Sequence, residues 1–220
     1  MENKKPLGNI KNFIWDFDGT LFDTYPYTIN CFCEAVERVN GKRPEYLEIY
    51  KYMMQTIGHA FAAYKQMLGE EKDAEIREAY RSIRVPGPET EGDPFPYAKE
   101  LLELICDSGK ANYMFTHRVN DVYPFMDYWD MRKYFTRIVT LADGVKSKPS
   151  PDAIYLLINE YGLDPAETVM IGDREIDVLS GKNAGVLSCH VTNGLPYDDF
   201  ETDYRVESMK DIYEALGGKI

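Results

Sequence analysis

The chain has 220 residues, 44% hydrophobic and 28% charged, which is the make-up of a globular protein with one large domain or a domain carrying an insertion. Its net charge of −12 argues against nucleic acid as a general partner, because a phosphate backbone needs a basic surface. No stretch approaches the roughly eighteen apolar residues of a membrane span, and Met1-Glu2-Asn3-Lys4-Lys5 is followed by no apolar leader core, so the expectation is a cytoplasmic chain with no membrane partner.

The first predicted element is the apolar run Phe13-Ile14-Trp15, read as a buried strand, which leads into Asp16-Phe17-Asp18-Gly19-Thr20-Leu21-Phe22-Asp23. Side chains alternate along a strand, so Asp16 and Asp18 are expected on one side, with Gly19 and Thr20 turning the chain away. Two carboxylates held together repel unless a cation joins them or a proton is shared. The pair therefore suits a hard divalent metal, or a nucleophile beside a general acid/base. A calcium-loop reading fails: Gly19 follows Asp18 directly, and the twelfth position counted from Asp16 is Tyr27 instead of Glu.

Residues 28–84 read as helical hairpins inserted after this strand. Ile29, Phe32, Cys33 and Val36 form one apolar stripe, closed by Gly41; Leu47, Tyr50, Met54 and Ile57 form a second, up to Gly58. A third segment runs from His59 to Leu68, and a fourth carries Ile76, Ala79, Tyr80 and Ile83. Pro86-Gly87-Pro88, Pro94 and Pro96 mark the return linker. The four cysteines show no CxxC spacing, and Cys31 and Cys33 do not face each other on a helix; reduced thiols are expected.

Beyond the linker, helices alternate with short apolar strands. Ala98, Leu101, Leu102 and Ile105 make a helix face; 111–116, 137–141, 168–171, 186–191 and 203–206 read as strands. The segment containing Tyr123, Phe125, Tyr128 and Trp129 reads as core-facing. Ser150-Pro151-Asp152 gives a cap, a Pro at the first helical position and an acid in the first turn, ahead of the stripe Ile154, Leu157, Ile158 and Tyr161. Strand–helix repetition predicts an α/β fold, a Rossmann-like parallel sheet with right-handed crossovers, with an inserted α-helical cap. The core is assigned to 1–24 and 90–220, the cap to 25–89.

Ligands of such sheets bind beyond the carboxyl ends of the strands. That edge collects Asp16 and Asp18, then Thr116-His117-Arg118, then Lys146-Ser147-Lys148, then Gly172-Asp173-Arg174-Glu175-Ile176-Asp177. Asp173 and Asp177 share a face if a helix begins there. An anion bound by so acidic a chain needs a locally basic site built from placed lysines, backbone amides and a metal.

On these residues the chain resembles the haloacid dehalogenase-like (HAD) hydrolase superfamily, in the group with a helical cap after the first motif. Asp16-x-Asp18-Gly-Thr-Leu, Thr116, Lys148-Pro149 and Gly172-Asp173-x3-Asp177 stand in the family's order, and the similarity is to the phosphoglycolate phosphatase-like branch. The resemblance implies a magnesium-dependent phosphatase acting on a small phosphorylated metabolite. Asp16 would be the nucleophile forming an aspartyl-phosphate, and Asp18 the general acid/base. Mg2+ would be held by Asp16, Asp173 and the backbone carbonyl of Asp18, with Asp177 behind it orienting the shell. Thr116 and Lys148 would bind phosphate oxygens.

Other readings compete residue by residue. Thr116 by itself would cap a local amide; its place after the second core strand makes it a ligand. Lys146 competes with Lys148, which is preferred because Pro149 and a capped helix follow it. His117 and Arg118 either reach substrate or serve in caps and ion pairs. His59, Lys65 and Arg84 are the polar cap residues to watch for substrate contact, against simple solvation of a helix.

Asp18 excludes the dehalogenase pattern, which lacks that acid, and argues against the phosphonate-cleaving branch. A β-phosphoglucomutase-like phosphotransferase shares every core motif, but such members show a His soon after the first motif, where Tyr25-Pro26-Tyr27-Thr28 has none. A non-catalytic binding protein on the same fold would lack one of the acids. The leaving group and the oligomeric state are not legible in the sequence.

Overall fold

A computed structural model describes residues 6–196 and 199–219. The chain divides into two compact units, Met1–Phe22 with Pro94–Ile220, and Asp23–Asp93.

The first unit is built on a six-stranded, all-parallel sheet of order β3-β2-β1-β4-β5-β6. The strands are β1 (Asn12–Trp15), β2 (Ala111–Phe115), β3 (Phe135–Val139), β4 (Thr168–Gly172), β5 (Leu187–Val191) and β6 (Tyr204–Val206). The central strands are apolar on both faces because helices cover both. Phe13, Trp15, Met114, Val169 and Ile171 pack with Leu101, Leu102, Ile105, Met209 and Ile212 on one side. Ile14, Tyr113, Phe115, Val139 and Met170 pack with Ala153, Ile154 and Leu157 on the other. One buried polar tie crosses the first layer: Trp15 Nε1 donates to Asn112 Oδ1 at 2.9 Å, and Asn112 Nδ2 donates to Leu102 O at 3.0 Å. In this strand order the topological switch falls between β1 and β4, so their carboxyl ends open a crevice.

Several expected details shift. The third strand runs two residues earlier than 137–141, because the Thr140 hydroxyl and the Asp143 carboxylate form a capping box that starts a new turn there. The helix after Ser150 is Asp152–Tyr161, with Pro151 as its cap position; Ser150 Oγ instead donates to Asp152 Oδ1 at 2.7 Å. Tyr161 at its end is 37% exposed and lies against Tyr113, and Tyr128 is 54% exposed while Phe125 beside it is buried.

The second unit contains four helices, α1 (Tyr25–Asn40), α2 (Tyr46–Met53), α3 (Ile57–Leu68) and α4 (Glu70–Ile83). Ile29, Phe32, Cys33, Val36, Phe61, Tyr64 and Ile76 are buried, with Phe32 edge-on to both Phe61 and Tyr64. The expected stripe from Leu47 to Ile57 is corrected: α2 stops at Met53, the buried face is Ile49, Tyr50 and Met53, and Leu47 is exposed. The helical period restarts at Ile57, so spacing counted across residues 54–56 lost its phase. Where the chain enters and leaves the unit, Asp23 N donates to Asp93 O at 3.0 Å. Gly92, at φ +147°, allows this approach, since a Cβ there would lie 2.0 Å from Asp23 O. All four cysteines are free.

Candidate active site

At the end of β1 the pairing continues one residue further, Asp16 N donating to Ile171 O at 2.9 Å, so Asp16 stays registered against β4. The chain then turns tightly: Gly19 takes φ +80° and its N–H donates to Phe22 O at 2.8 Å. This turn sends Thr20 back toward β4, where its hydroxyl donates to Asp173 Oδ1 at 2.8 Å. Asn193, after β5, holds the turn by donating to the carbonyls of Gly19 and Thr20, both at 3.0 Å.

Asp16 and Asp18 meet different surroundings. Asp16 is 1% exposed, with Lys148 Nζ at 2.5 Å from Oδ1 and Arg174 Nη2 at 3.5 Å from Oδ2. The Asp18 carboxylate is half-buried and is gripped by the Arg118 guanidinium, with Nη2 at 2.7 Å from Oδ1.

Lys148 is the buried lysine and Lys146 the solvated one, 81% exposed at its side chain. The Lys148 ammonium also lies 2.7 Å from Asp177 Oδ1 and over the Phe115 ring. Its segment is tied to the loop after β2, because Lys148 N donates to His117 Nε2 at 2.9 Å. His117 must be neutral at that nitrogen, and burial, followed by the nearby Lys148 charge, pushes its pKa down to about 4. Thr116 is fully buried at the end of β2; its oxygen accepts from Arg118 N at 3.1 Å, a cap on a local amide.

The expectation that a helix face brings Asp173 and Asp177 together is corrected. The helix after β4 spans Glu175–Ala184, so Asp173 precedes it. Asp177 instead folds back as the third helical residue and accepts from Arg174 N at 3.1 Å. Gly172 makes room for this, since a Cβ there would lie 2.2 Å from Asp177 Cβ. His190 approaches from β5, its Nε2 3.0 Å from Asp173 O.

Carboxylate oxygens of Asp16, Asp173 and Asp177 lie within 4.8 Å of one another, all buried. Lys148 and Arg174 place two positive charges against Asp16 and Asp177, and Asp173 adds a third carboxylate to the cluster. Burial and then the Asp177 charge raise the pKa of Asp16 to about 6, against the opposing pull of Lys148 and Arg174. Burial also pushes Asp177 upward, but Lys148 and Arg174 outweigh it and hold Asp177 below the usual range. An all-oxygen set with surplus negative charge fits a hard divalent cation.

His59 and Lys65 lie in the second unit, each beside a local partner: His59 Nδ1 is 3.0 Å from Thr56 Oγ1, and Lys65 Nζ is 2.8 Å from Glu70 Oε1. Arg84, in the same unit, donates to the buried Glu91 at 3.1 Å. Sequence reasoning missed Arg174, Thr20, Asn193 and His190. Arg174 and Thr20 sit inside the motifs and were open to notice, whereas nothing in the local sequence marks Asn193 or His190.

A family model described as haloacid dehalogenase-like hydrolase matches residues 13–191, and the chain belongs to that family. Within it the chain is a phosphatase of the phosphoglycolate phosphatase-like branch. It is 26% identical over 216 residues to pyrophosphatase PpaX of Halalkalibacterium halodurans, covering 96% of this chain and 98% of the relative. It is 24% identical to a phosphoglycolate phosphatase of Vibrio parahaemolyticus, covering 94% and 96%. A crystal structure of a predicted phosphoglycolate phosphatase from Haemophilus somnus shares the fold, with a TM-score of 0.80, 19% identity and coverage of 94% and 97%. Among the described residues no helix is long and apolar enough to cross a membrane.

Proposed function

We propose that the chain is a magnesium-dependent phosphatase of a small phosphomonoester, working through an aspartyl-phosphate on Asp16. The observation that supports this reading is the difference in surroundings between two acids one residue apart. Asp16 is buried against Lys148 and Arg174, while the Asp18 side chain is 27% exposed.

In the first step a carboxylate oxygen of Asp16 attacks phosphorus and the ester P–O bond breaks, while the departing oxygen takes a proton from Asp18. In the second, Asp18 takes a proton from water, the water oxygen attacks phosphorus, and the Asp16–phosphorus bond breaks to release inorganic phosphate. Lys148 and the Thr116 hydroxyl bind the phosphoryl oxygens, with Arg174 a further donor beside them. Asp16 and Asp173 are the carboxylates that would hold Mg2+, with the Asp18 carbonyl as the remaining protein oxygen and Asp177, in the same cluster, behind them. Bound there, the ion supplies neutralisation of phosphoryl charge. Asp23–Asp93 acts as the cap, the part of the chain that selects the alcohol.

The test is phosphate release from p-nitrophenyl phosphate, a panel of small phosphomonoesters and inorganic pyrophosphate, each with and without magnesium. The reading expects magnesium-dependent monoester hydrolysis that is abolished in Asp16→Asn. Activity surviving Asp16→Asn, hydrolysis of pyrophosphate alone, or a phosphorylated sugar product with little free phosphate would each overturn it.

A further inference from the structure

Arg118 follows the phosphate-binding Thr116 by two residues, and sequence alone offers it as an anchor for substrate. Its guanidinium is already engaged on every side. Nε lies 3.1 and 3.0 Å from the two Asp18 oxygens and Nη2 2.7 Å from Oδ1. Nη1 donates to Asp121 Oδ2 at 3.2 Å, and Asp121 is itself fixed by accepting from Val119 N at 3.0 Å through its other oxygen. The guanidinium carbon sits 4.8 Å from the centre of the Phe17 ring and 4.7 Å from that of Phe125. Those two rings pack edge to face, 5.4 Å apart at 81°. The Arg118 side chain is 8% exposed, and Asp18, which it grips, is 27% exposed.

A short carboxylate at that exposure rotates freely unless something holds it. A planar guanidinium gripping both oxygens fixes its orientation as well as its place. The aromatic pair and Asp121 in turn fix the guanidinium. We propose that Arg118 is the positioning residue for Asp18: it sets the carboxyl that meets the leaving-group oxygen, and it does not bind substrate. The proposal rests on the reading of Asp18 as proton donor, and it assigns a segment beyond β2 to the control of that donor. Lysine cannot replace Arg118 fully, because a point charge holds a carboxylate without orienting it.

Phenyl phosphate and p-nitrophenyl phosphate have nearly the same shape, but only the first needs a proton to leave well. The readout is kcat/KM, which covers all steps up to departure of the alcohol. Arg118→Met is expected to lose at least about tenfold more kcat/KM on phenyl phosphate than on p-nitrophenyl phosphate. Arg118→Lys is expected to show the same bias with a smaller loss. In an Asp18→Asn background Arg118→Met should add no further bias. Equal losses on both esters, as a substrate anchor or a merely structural residue would give, overturn the proposal, as does a bias that persists without Asp18.

If neither ester is hydrolysed by the wild type with magnesium, the functional reading fails separately. The pair is then read by stability, comparing wild type, Arg118→Met, Asp18→Asn and the double variant. Non-additive melting temperatures support the Arg118–Asp18 lock, and additive ones overturn it.

Discussion

The ammonium of Lys148 stands between two buried carboxylates, 2.5 Å from Asp16 and 2.7 Å from Asp177. All three side chains are at most 1% exposed, so little water screens the group and each charge depends on the others. Lys148→Met leaves Asp16 and Asp177 facing each other with Arg174 as their remaining cation nearby. The metal-free variant is expected to lose on the order of 3–5 kcal/mol in urea unfolding. Magnesium should restore part of that stability without restoring turnover, since the proposed phosphate ligand is gone. Unchanged unfolding midpoints would remove the ion pair from the account.

The raised pKa of Asp16 has a definite sign in stability. Its folded value of about 6 exceeds the unfolded 3.8, so between them the native state holds a proton that the unfolded state has released. Asp16 therefore makes the metal-free protein less stable as pH rises from about 4 to 6, with the full cost present above that. Asp16→Asn should remove this contribution and raise metal-free stability at pH 7–8 by on the order of 3 kcal/mol. Denaturant titrations of both proteins in a chelator, across pH 4–8, measure the difference.

His117 acts in the opposite direction. Its pKa is pushed from 6.5 down to about 4, so the stability it contributes is present above pH 6.5 and is lost as pH falls toward 4. Protonation would also turn the acceptor of Lys148 N–H into a donor. His117→Asn should flatten the decline in melting temperature between pH 6.5 and 4. A decline as steep as that of wild type would assign it to other groups.

Gly172 lies where Asp177 folds back over the end of β4. A Cβ would lie 2.2 Å from Asp177 Cβ and 2.6 Å from its Oδ2, both in a buried setting with no room to yield. Gly172→Ala should cost about 1–3 kcal/mol of stability through overpacking. Because Asp177 and Asp16 share the Lys148 ammonium, a shift of Asp177 should reach Asp16, and kcat/KM should fall by more than the unfolded fraction explains. Calorimetry and steady-state kinetics on the same preparation separate the two effects.

Much of this was legible in particular residues. The run Phe13-Ile14-Trp15 reads as a buried strand, which puts the acids after it at a sheet edge, and the structure buries all three residues. Lys148 was separable from Lys146 because a proline and a helix follow it, and the structure buries the first and solvates the second. Period counting failed at Leu47, where a three-residue break between α2 and α3 resets the phase. It failed again at Asp177, which reaches Asp173 by a capping fold-back instead of sharing a helix face with it.

Local sequence determined the strand ends and the kinds of group they carry, because alternation, capping and turn chemistry act over a few residues. It placed Asp16, Asp18, Thr116, Lys148, Asp173 and Asp177 along one edge without saying which touch. Tertiary structure decided that Lys148 joins Asp16 to Asp177, and that Thr20 holds Asp173. It also decided that Arg118 pairs with Asp18, 100 residues earlier in the chain. Charges pair by distance in space, and in a parallel sheet that distance is set by strand order, which joins β1 to β2 and β4 across long stretches of chain.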